Sequence, residues 1–144
     1  RQGVAMSDGL KWDAVSPGDR APSRTHTLTR TDLVMYAGAS GDFNPMHTDD
    51  LAARAAGLPS VFGHGMLSMG LLGAALTDYV GLANLRSYQV RFTKQTWPDE
   101  ELTTSIVVTG TREEDGEKLV DLEVSLANAD GQVKVAGEAV ARAS

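Results

Sequence analysis

Polar and apolar residues alternate along much of the second half of the chain. The alternation is strict at residues 87–92 and 119–126, residues 102–109 are rich in Thr, Val and Ile, and residues 133–141 form a fourth run. A period of two residues places successive side chains on opposite faces of a β-strand. Residues 128–131, Asn-Ala-Asp-Gly, separate the last two runs and are typical of a hairpin turn. The pattern therefore predicts four consecutive strands in an antiparallel sheet.

The first half of the chain has the pattern of helices joined by loops. After a short extended segment at residues 25–28, residues 29–32, Thr-Arg-Thr-Asp, are typical of a capped helix start. The apolar residues that follow predict a helix that ends near Gly38. Residues 40–47 are rich in turn formers and predict a loop, and a short helix is expected at residues 49–56. These helices must pack against the predicted sheet.

The longest apolar stretch, residues 66–80, predicts a buried central helix. It is apolar on nearly every side, so other structure is expected to enclose it, and its small residues Gly70, Gly73 and Ala74 allow close approach. As a helix it would be about 22 Å long, short of the roughly 20 residues that cross a bilayer. Together with the strands, this helix predicts an α+β domain in which an antiparallel sheet wraps one helix.

Composition and charge narrow the classes of function. A chain of 144 residues with 42% hydrophobic and 22% charged residues fits one globular domain. The net charge of -6 argues against a duplex nucleic-acid binder, and no segment predicts a membrane partner. The chain has no cysteine, so we expect a cytoplasmic protein without disulfides or a thiolate nucleophile. Residues 1–5 precede Met6 and are expected to be a tag or fusion remnant, which leaves a single domain at residues 6–144.

The densest group of candidate catalytic residues lies in the predicted loop at residues 40–47. It places the carboxylate of Asp42, the amide of Asn44 and the imidazole of His47 within six positions. An Asp and a His together can hold one water, with the imidazole as general base or acid near neutral pH. The alternative is that Asp and Asn serve only as turn residues. We expect no metal, because Met46 replaces an oxygen ligand of a calcium-type loop and His47 has no second histidine nearby.

A second candidate motif, Gly63-His64-Gly65-Met66, opens the apolar helix. Free backbone N–H groups at a helix start can stabilise a developing oxyanion, and Gly65 has no Cβ to block the approach. The alternative is that both glycines serve only turning and close packing. We expect His64 to be a hydrogen-bonded structural histidine, and His26 is assigned no chemical role. The chain has neither the glycine-flanked serine of hydrolases nor a phosphate-binding glycine loop.

Residues 36–47, Tyr-Ala-Gly-Ala-Ser-Gly-Asp-Phe-Asn-Pro-Met-His, resemble the hydratase 2 motif of the MaoC-like dehydratases. That family includes R-specific enoyl-CoA hydratases and the catalytic subunits of mycobacterial-type 3-hydroxyacyl-ACP dehydratases. Residues 62–66 resemble the segment that opens the family's central helix, and residues 87–93 resemble the strand that follows it. The resemblance covers about residues 25–142 and implies a hotdog fold, a curled antiparallel sheet around one long helix.

The resemblance also implies an activity, which is the reversible hydration of trans-2-enoyl thioesters to (R)-3-hydroxyacyl thioesters without a cofactor. Asp42 and His47 would be the catalytic pair that holds the water, and Asn44 would position the loop or the water. The Gly65 N–H would bind the thioester carbonyl. The substrate would be an acyl-CoA or an acyl carrier protein thioester. Its acyl group is expected to contact four apolar side chains, namely Phe43, Phe62, Met66 and Met69.

Partners follow from charge and from the predicted sheet. Arg86, Arg91 and Lys94 form a compact cationic set that an anionic CoA or carrier-protein arm could meet, although a solvated strand face explains them equally well. A single-layer sheet leaves an edge strand that a second copy can extend. We therefore expect a homodimer, with a heterodimer containing a related hotdog subunit as the alternative.

Two other functions are compatible with this fold. A hotdog acyl-thioesterase would use an acid or amide on the central helix or the facing strand, and residues 66–75 carry no acid. A non-catalytic subunit that binds acyl thioesters or a partner would be expected to lack Asp42 or His47. The presence of both residues in one loop favours hydration.

Overall fold

The computed structural model describes residues 7–144 and contains three helices and five strands in that range. The expected tag remnant at residues 1–5 lies outside the described residues. The elements, in chain order, are β1 Thr25–Thr27, α1 Arg30–Ser40, α2 Asp50–Ala55, α3 Gly65–Val80, β2 Leu85–Phe92, β3 Glu101–Glu114, β4 Glu117–Ala127 and β5 Val133–Arg142. A 3-10 turn at Pro45–His47 precedes α2.

The five strands form one antiparallel sheet in the order β1-β3-β4-β5-β2. Strands β3, β4 and β5 are successive hairpins, whereas β2 lies at the far edge beside β5. Register shifts between Val108 and Gly110 and between Leu126 and Ala127 interrupt the ladders, and such bulges bend a sheet. The sheet curls over α3, so the predicted α+β hotdog architecture is confirmed. The hairpin predicted at residues 128–131 joins β4 to β5.

Helix α1 begins as the sequence predicts and ends later. Thr29 caps it, accepting from the Asp32 N–H at 3.1 Å, while the Asp32 carboxylate accepts from the Thr29 N–H at 2.9 Å. The expected end near Gly38 is wrong. The helix continues to Ser40, and Gly41 ends it in a left-handed conformation at φ 76°, donating its N–H to the Ala37 carbonyl. A glycine inside a helix costs stability but does not stop the helix.

Helix α3 is the centre of the core on one face only. Its residues Leu72, Leu76 and Val80 are fully buried against strand residues of the curled sheet. Met66 is 57% exposed, however, and Gly70 and Ala74 are also exposed at four-residue intervals. The expectation that structure encloses the helix on every side is therefore wrong for this chain alone. Within residues 7–144, no helix is both long and apolar enough to span a bilayer.

A buried ion pair fastens the segment between β2 and β3 to β5. Lys134 is 2% exposed, and its ammonium group donates to Glu100 Oε1 at 3.0 Å and to the Gln95 carbonyl at 2.9 Å. Glu100 also accepts from Asn128 Nδ2 at 2.7 Å and from the Trp97 N–H at 2.8 Å. Burial alone would raise the pKa of Glu100, but these hydrogen bonds outweigh it and hold the pKa below its ordinary value. The network anchors residues 93–97.

Replacing Lys134 by Met is expected to lower the free energy of unfolding by about 3–5 kcal/mol, because Glu100 is left without its buried counter-ion. Arg86→Met is the matched control. It removes the exposed pair with Glu117 and should change stability far less. Because its pKa is lowered on folding, Glu100 stabilises the fold fully above pH 4.5 and loses this effect as pH falls through the lowered value. Chemical denaturation at pH 7 and pH 3 measures both effects, and equal losses for the two variants would contradict the account.

Candidate active site

The end of α1 and the turn that follows place Asp42 beside His47. Asn44 is extended at φ -55° and ψ 123°, as expected for a residue before proline. Its side-chain oxygen accepts from the Met46 N–H at 3.1 Å, and its own N–H donates to Asp42 Oδ1 at 3.3 Å. Asn44 therefore organises the loop around Asp42, and its side chain caps the 3-10 turn that carries His47.

His47 is buried, and its ring has a defined tautomer when neutral. Nδ1 lies 2.6 Å from the carbonyl oxygen of Phe62. Since a carbonyl only accepts, Nδ1 carries the proton and Nε2 of the neutral ring keeps its lone pair. Nε2 lies 3.8 Å from Asp42 Oδ2, and the Asp42 side chain is about half exposed. The pair thus combines an oriented base with a carboxylate reached from solvent.

His64 lies directly against this pair. Its ring stacks on that of His47, with centroids 3.8 Å apart and planes at 26°, and the Tyr36 ring meets it edge-on at 4.9 Å. Its Nε2 donates to the Asp42 carbonyl at 3.1 Å, and its Nδ1 is buried without a partner among residues 7–144. Burial lowers the pKa of His64, which favours the neutral ring.

Asp42, His47 and His64 place one potential ligand atom each within 4.8 Å of one another. A metal must lie close to the plane of every imidazole that binds it, at about 2.0–2.1 Å for zinc. Stacked, nearly parallel rings do not direct their lone pairs to a common point. The arrangement therefore fits two histidines in contact better than two ligands of one ion.

The start of α3 borders a cavity. Gly65 is the first helical residue, and within the described chain no group accepts a hydrogen bond from its N–H. A Cβ added at Gly63 would collide with Thr96 Oγ1, and the Gly63 N–H donates to the Thr96 carbonyl at 2.8 Å. A cavity of about 370 Å³ opens beside Gly65, between the start of α3 and residues 92–96. This volume is within the range of small-molecule sites.

Comparison with known proteins places the chain in a family. Residues 14–129 match the family model described as "MaoC like domain". The chain belongs to the MaoC-like family. The resemblance inferred from residues 36–47 and 62–66 is thereby confirmed.

Two relatives of this MaoC-like domain have names that state an activity. It is 40% identical over 93 residues to 3-hydroxyacyl-thioester dehydratase Y of Mycobacterium tuberculosis, which is 61% of this chain but only 32% of that protein. It also resembles the R-hydratase PhaJ1 structure from Pseudomonas aeruginosa, with a TM-score of 0.80 and 27% identity, covering 94% of this chain and 86% of that one. The ChsH1–ChsH2 complex of Mycobacterium tuberculosis has the same fold, with a TM-score of 0.79, 23% identity and coverage of 90% and 99%. The chain spans about a third of the first relative's length.

The predicted acyl-contacting residues of the MaoC-like domain are dispersed. Phe62 lines the cavity beside Gly65 and meets the His47 ring edge-on at 4.9 Å. Phe43 and Met66 are 68% and 57% exposed, and the half-buried Met69 accepts from the Tyr88 hydroxyl at 2.8 Å through its carbonyl. Of the four, only Phe62 borders this cavity in the described chain.

The opposite wall of the cavity was not predicted from the sequence. It comes from the end of β2 and the segment after it, where Phe92, Lys94 and Thr96 lie beside Ser68 of α3. Phe92 continues the alternation of β2, but nothing in that pattern places its ring against Gly65, 27 residues earlier in the chain. Of the cationic set, Arg86 is paired with Glu117, with its Nη2 2.7 Å from Oε2, while Lys94 borders the cavity.

Proposed function

We propose that this MaoC-like domain catalyses the reversible hydration of trans-2-enoyl thioesters to (R)-3-hydroxyacyl thioesters. The observation that carries the proposal is the Asp42–His47 pair, in which the Phe62 carbonyl fixes the tautomer that leaves Nε2 of His47 facing the carboxylate. A separation of 3.8 Å is too long for a direct hydrogen bond and suits one bridging water. The names of the relatives, a thioester dehydratase and an R-hydratase, support the same reaction.

In this mechanism the water donates one hydrogen bond to His47 Nε2 and the other to the Asp42 carboxylate. Its oxygen forms a bond to C3 of the enoyl group while its proton passes to Nε2. The π electrons of the C2–C3 double bond move toward the thioester, producing an enolate-like oxygen. The imidazolium then supplies a proton to C2 on the same face, so that H and OH have added across the double bond and the base is restored.

The Gly65 N–H stabilises the charge that develops on the thioester oxygen. It lies in the first turn of α3, where the helix dipole adds partial positive charge, and it borders the cavity that would hold the thioester. Lys94 at the cavity border suits the anionic arm of a CoA or carrier-protein substrate. No residue of this mechanism requires a cofactor, and the cytoplasm is the proposed location.

The thioesterase alternative is less well supported. It needs an acid or amide that aims water at the carbonyl carbon, and the acid that α3 carries, Asp78, is near its far end and ion-paired with Arg24. Incubation with trans-2-enoyl-CoA of graded chain length separates the two reactions. Hydration removes the conjugated thioester absorbance without releasing free thiol. Thiol release would support the thioesterase, and the absence of both signals would support a non-catalytic subunit.

We also propose that the domain is a dimer. Strand β2 pairs only with β5 within the described chain, which leaves the other edge of its eight residues open. The exposed apolar stripe of α3 at Met66, Gly70 and Ala74 is a second surface that a partner would cover. A second copy is the proposed partner, and a related hotdog subunit is the alternative.

Replacing Gly70 by Glu is expected to shift this dimer to monomers. A Cβ at Gly70 meets nothing within 4 Å, so the substitution is compatible with the fold of one chain, yet it places a charge in the proposed interface. Gly38→Glu is the matched control, because Gly38 is also helical, exposed and free of contacts. Light scattering at micromolar concentration should give twice 15.3 kDa for the parent and for Gly38→Glu. A monomeric parent with full activity would contradict the proposal.

A further inference from the structure

His64 contacts both members of the proposed catalytic pair through different parts of its ring. The Nε2–H donates to the main-chain carbonyl of Asp42, 22 residues earlier, and the ring face covers the His47 ring at 3.8 Å. His64 is 2% exposed and immediately precedes Gly65 at the start of α3. The same residue thus joins the loop that carries Asp42, the turn that carries His47 and the helix that carries the oxyanion donor.

We propose that His64 is a positioning residue for hydration, which holds the Asp42 backbone and the His47 ring plane at the spacing that one bridging water requires. The inference rests on the proposed function. Asp42 lies directly after the left-handed Gly41, and its side chain is about half exposed. Its main chain is therefore a point at which the spacing between carboxylate and imidazole can be fixed.

The charge state of His64 is compatible with this role. Its single hydrogen bond goes to a carbonyl, which places the proton on Nε2, and the buried Nδ1 has no acceptor in the described chain to receive a second proton. The groups that face the two rings are the Asp42 carboxylate, the Phe62 carbonyl and the Tyr36 ring. A neutral His64 can remain stacked on His47 while His47 gains and loses the proton of the reacting water. A second imidazolium at 3.8 Å would oppose that protonation.

Two substitutions separate the contacts. In His64→Phe, a ring remains to stack on His47, but the donor to the Asp42 carbonyl is lost. In His64→Gln, the amide nitrogen can reach the position of Nε2, but the stacked ring is lost. Each is combined with Asp42→Asn, which removes the carboxylate charge and keeps an oxygen for the Asn44 N–H. His26→Phe, at a partly exposed histidine paired with Asp32, is the matched control.

The readout is kcat and KM for a short enoyl-CoA, measured where each variant is fully folded by circular dichroism. We expect His64→Phe to lower kcat by roughly 10- to 100-fold with KM little changed, since a misplacement of about 1 Å can cost that much. We expect His64→Gln to lower it by about tenfold or less. In the Asp42→Asn background each substitution should cost little more, because residues that act through one group are not additive. His26→Phe should leave kcat unchanged in both backgrounds.

Each alternative result has a distinct meaning. A purely structural His64 would lower the unfolding midpoint and leave kcat of the folded variants unchanged, which overturns the inference. Full additivity with Asp42→Asn in an active parent also overturns it and leaves the proposed function standing. If His64→Phe does not fold, the His64→Gln cycle decides by the same criteria. A parent that hydrates no enoyl thioester overturns the proposed function and this inference together.

Discussion

Asp42→Asn and His47→Ala are each expected to lower the hydration rate by about 10²- to 10⁴-fold, the range that general acid–base assistance supplies. Both residues act through the same water, so the double variant should lose little more than the worse single variant. Asp42→Asn keeps Oδ1 as acceptor for the Asn44 N–H, and the loop is expected to stay in place. His47→Asn is a further variant, because its amide can still donate to the Phe62 carbonyl while Nε2 is absent.

Controls for this prediction use residues of the same type at a distance from the site. Asp13→Asn removes an exposed carboxylate, and His26→Ala removes a histidine outside the cluster. Both should keep the parent rate. Steady-state kinetics with a short enoyl-CoA, together with unfolding midpoints, makes the comparison. Near-parent turnover by Asp42→Asn would contradict the mechanism, and additive losses in the double variant would show that the two residues do not share one water.

Replacing Gly65 by Pro is expected to lower kcat by about 10²- to 10³-fold, which is typical for the loss of one oxyanion donor. Proline has no N–H, but it is favoured at the first position of a helix. His64 already has the extended backbone that a residue before proline adopts, at φ -60° and ψ 135°. The fold should therefore tolerate the change while the proposed donor is lost.

Gly65→Ala is the matched control for this variant. It adds the same Cβ, which would lie 3.3 Å from the Phe92 ring, and it keeps the N–H. Phe92 is half exposed and can move by a few tenths of an ångström. Kinetics of the two variants separates the effect of the Cβ from that of the donor. Equal losses in both would assign the effect to steric contact and contradict the oxyanion role of Gly65.

Much of the fold was predictable because its signals are local. Strict alternation specified the strands, and the Thr29–Asp32 capping box specified the start of α1. The end of α1 was not predictable from Gly38, since glycine is tolerated inside a helix and the left-handed termination occurs at Gly41. The exposed stripe of α3 was also missed, because an apolar sequence does not show which of its faces one chain covers.

The candidate site was predictable only where its residues are neighbours in sequence. Asp42, Asn44 and His47 share one loop, so their proximity followed from turn chemistry. The tautomer of His47 depends on the Phe62 carbonyl, 15 residues later, and the contacts of His64 cross a similar distance. Lys134 illustrates the same limit. Alternation with Val133 predicts a solvent-facing lysine, but Val133 is 40% exposed and Lys134 is buried on Glu100, in a part of β5 next to a register shift.

The most direct test of the central claim is the stereochemistry of the product that the parent protein forms from trans-but-2-enoyl-CoA in D₂O. If one water held by Asp42 and His47 reacts on a single face, the product is (R)-3-hydroxybutyryl-CoA with one deuterium at C2, syn to the new hydroxyl. Chiral analysis of the hydroxyl and NMR of C2 measure the two centres in one sample. An (S)-alcohol, or deuterium distributed over both positions at C2 under initial-rate conditions, would contradict the account.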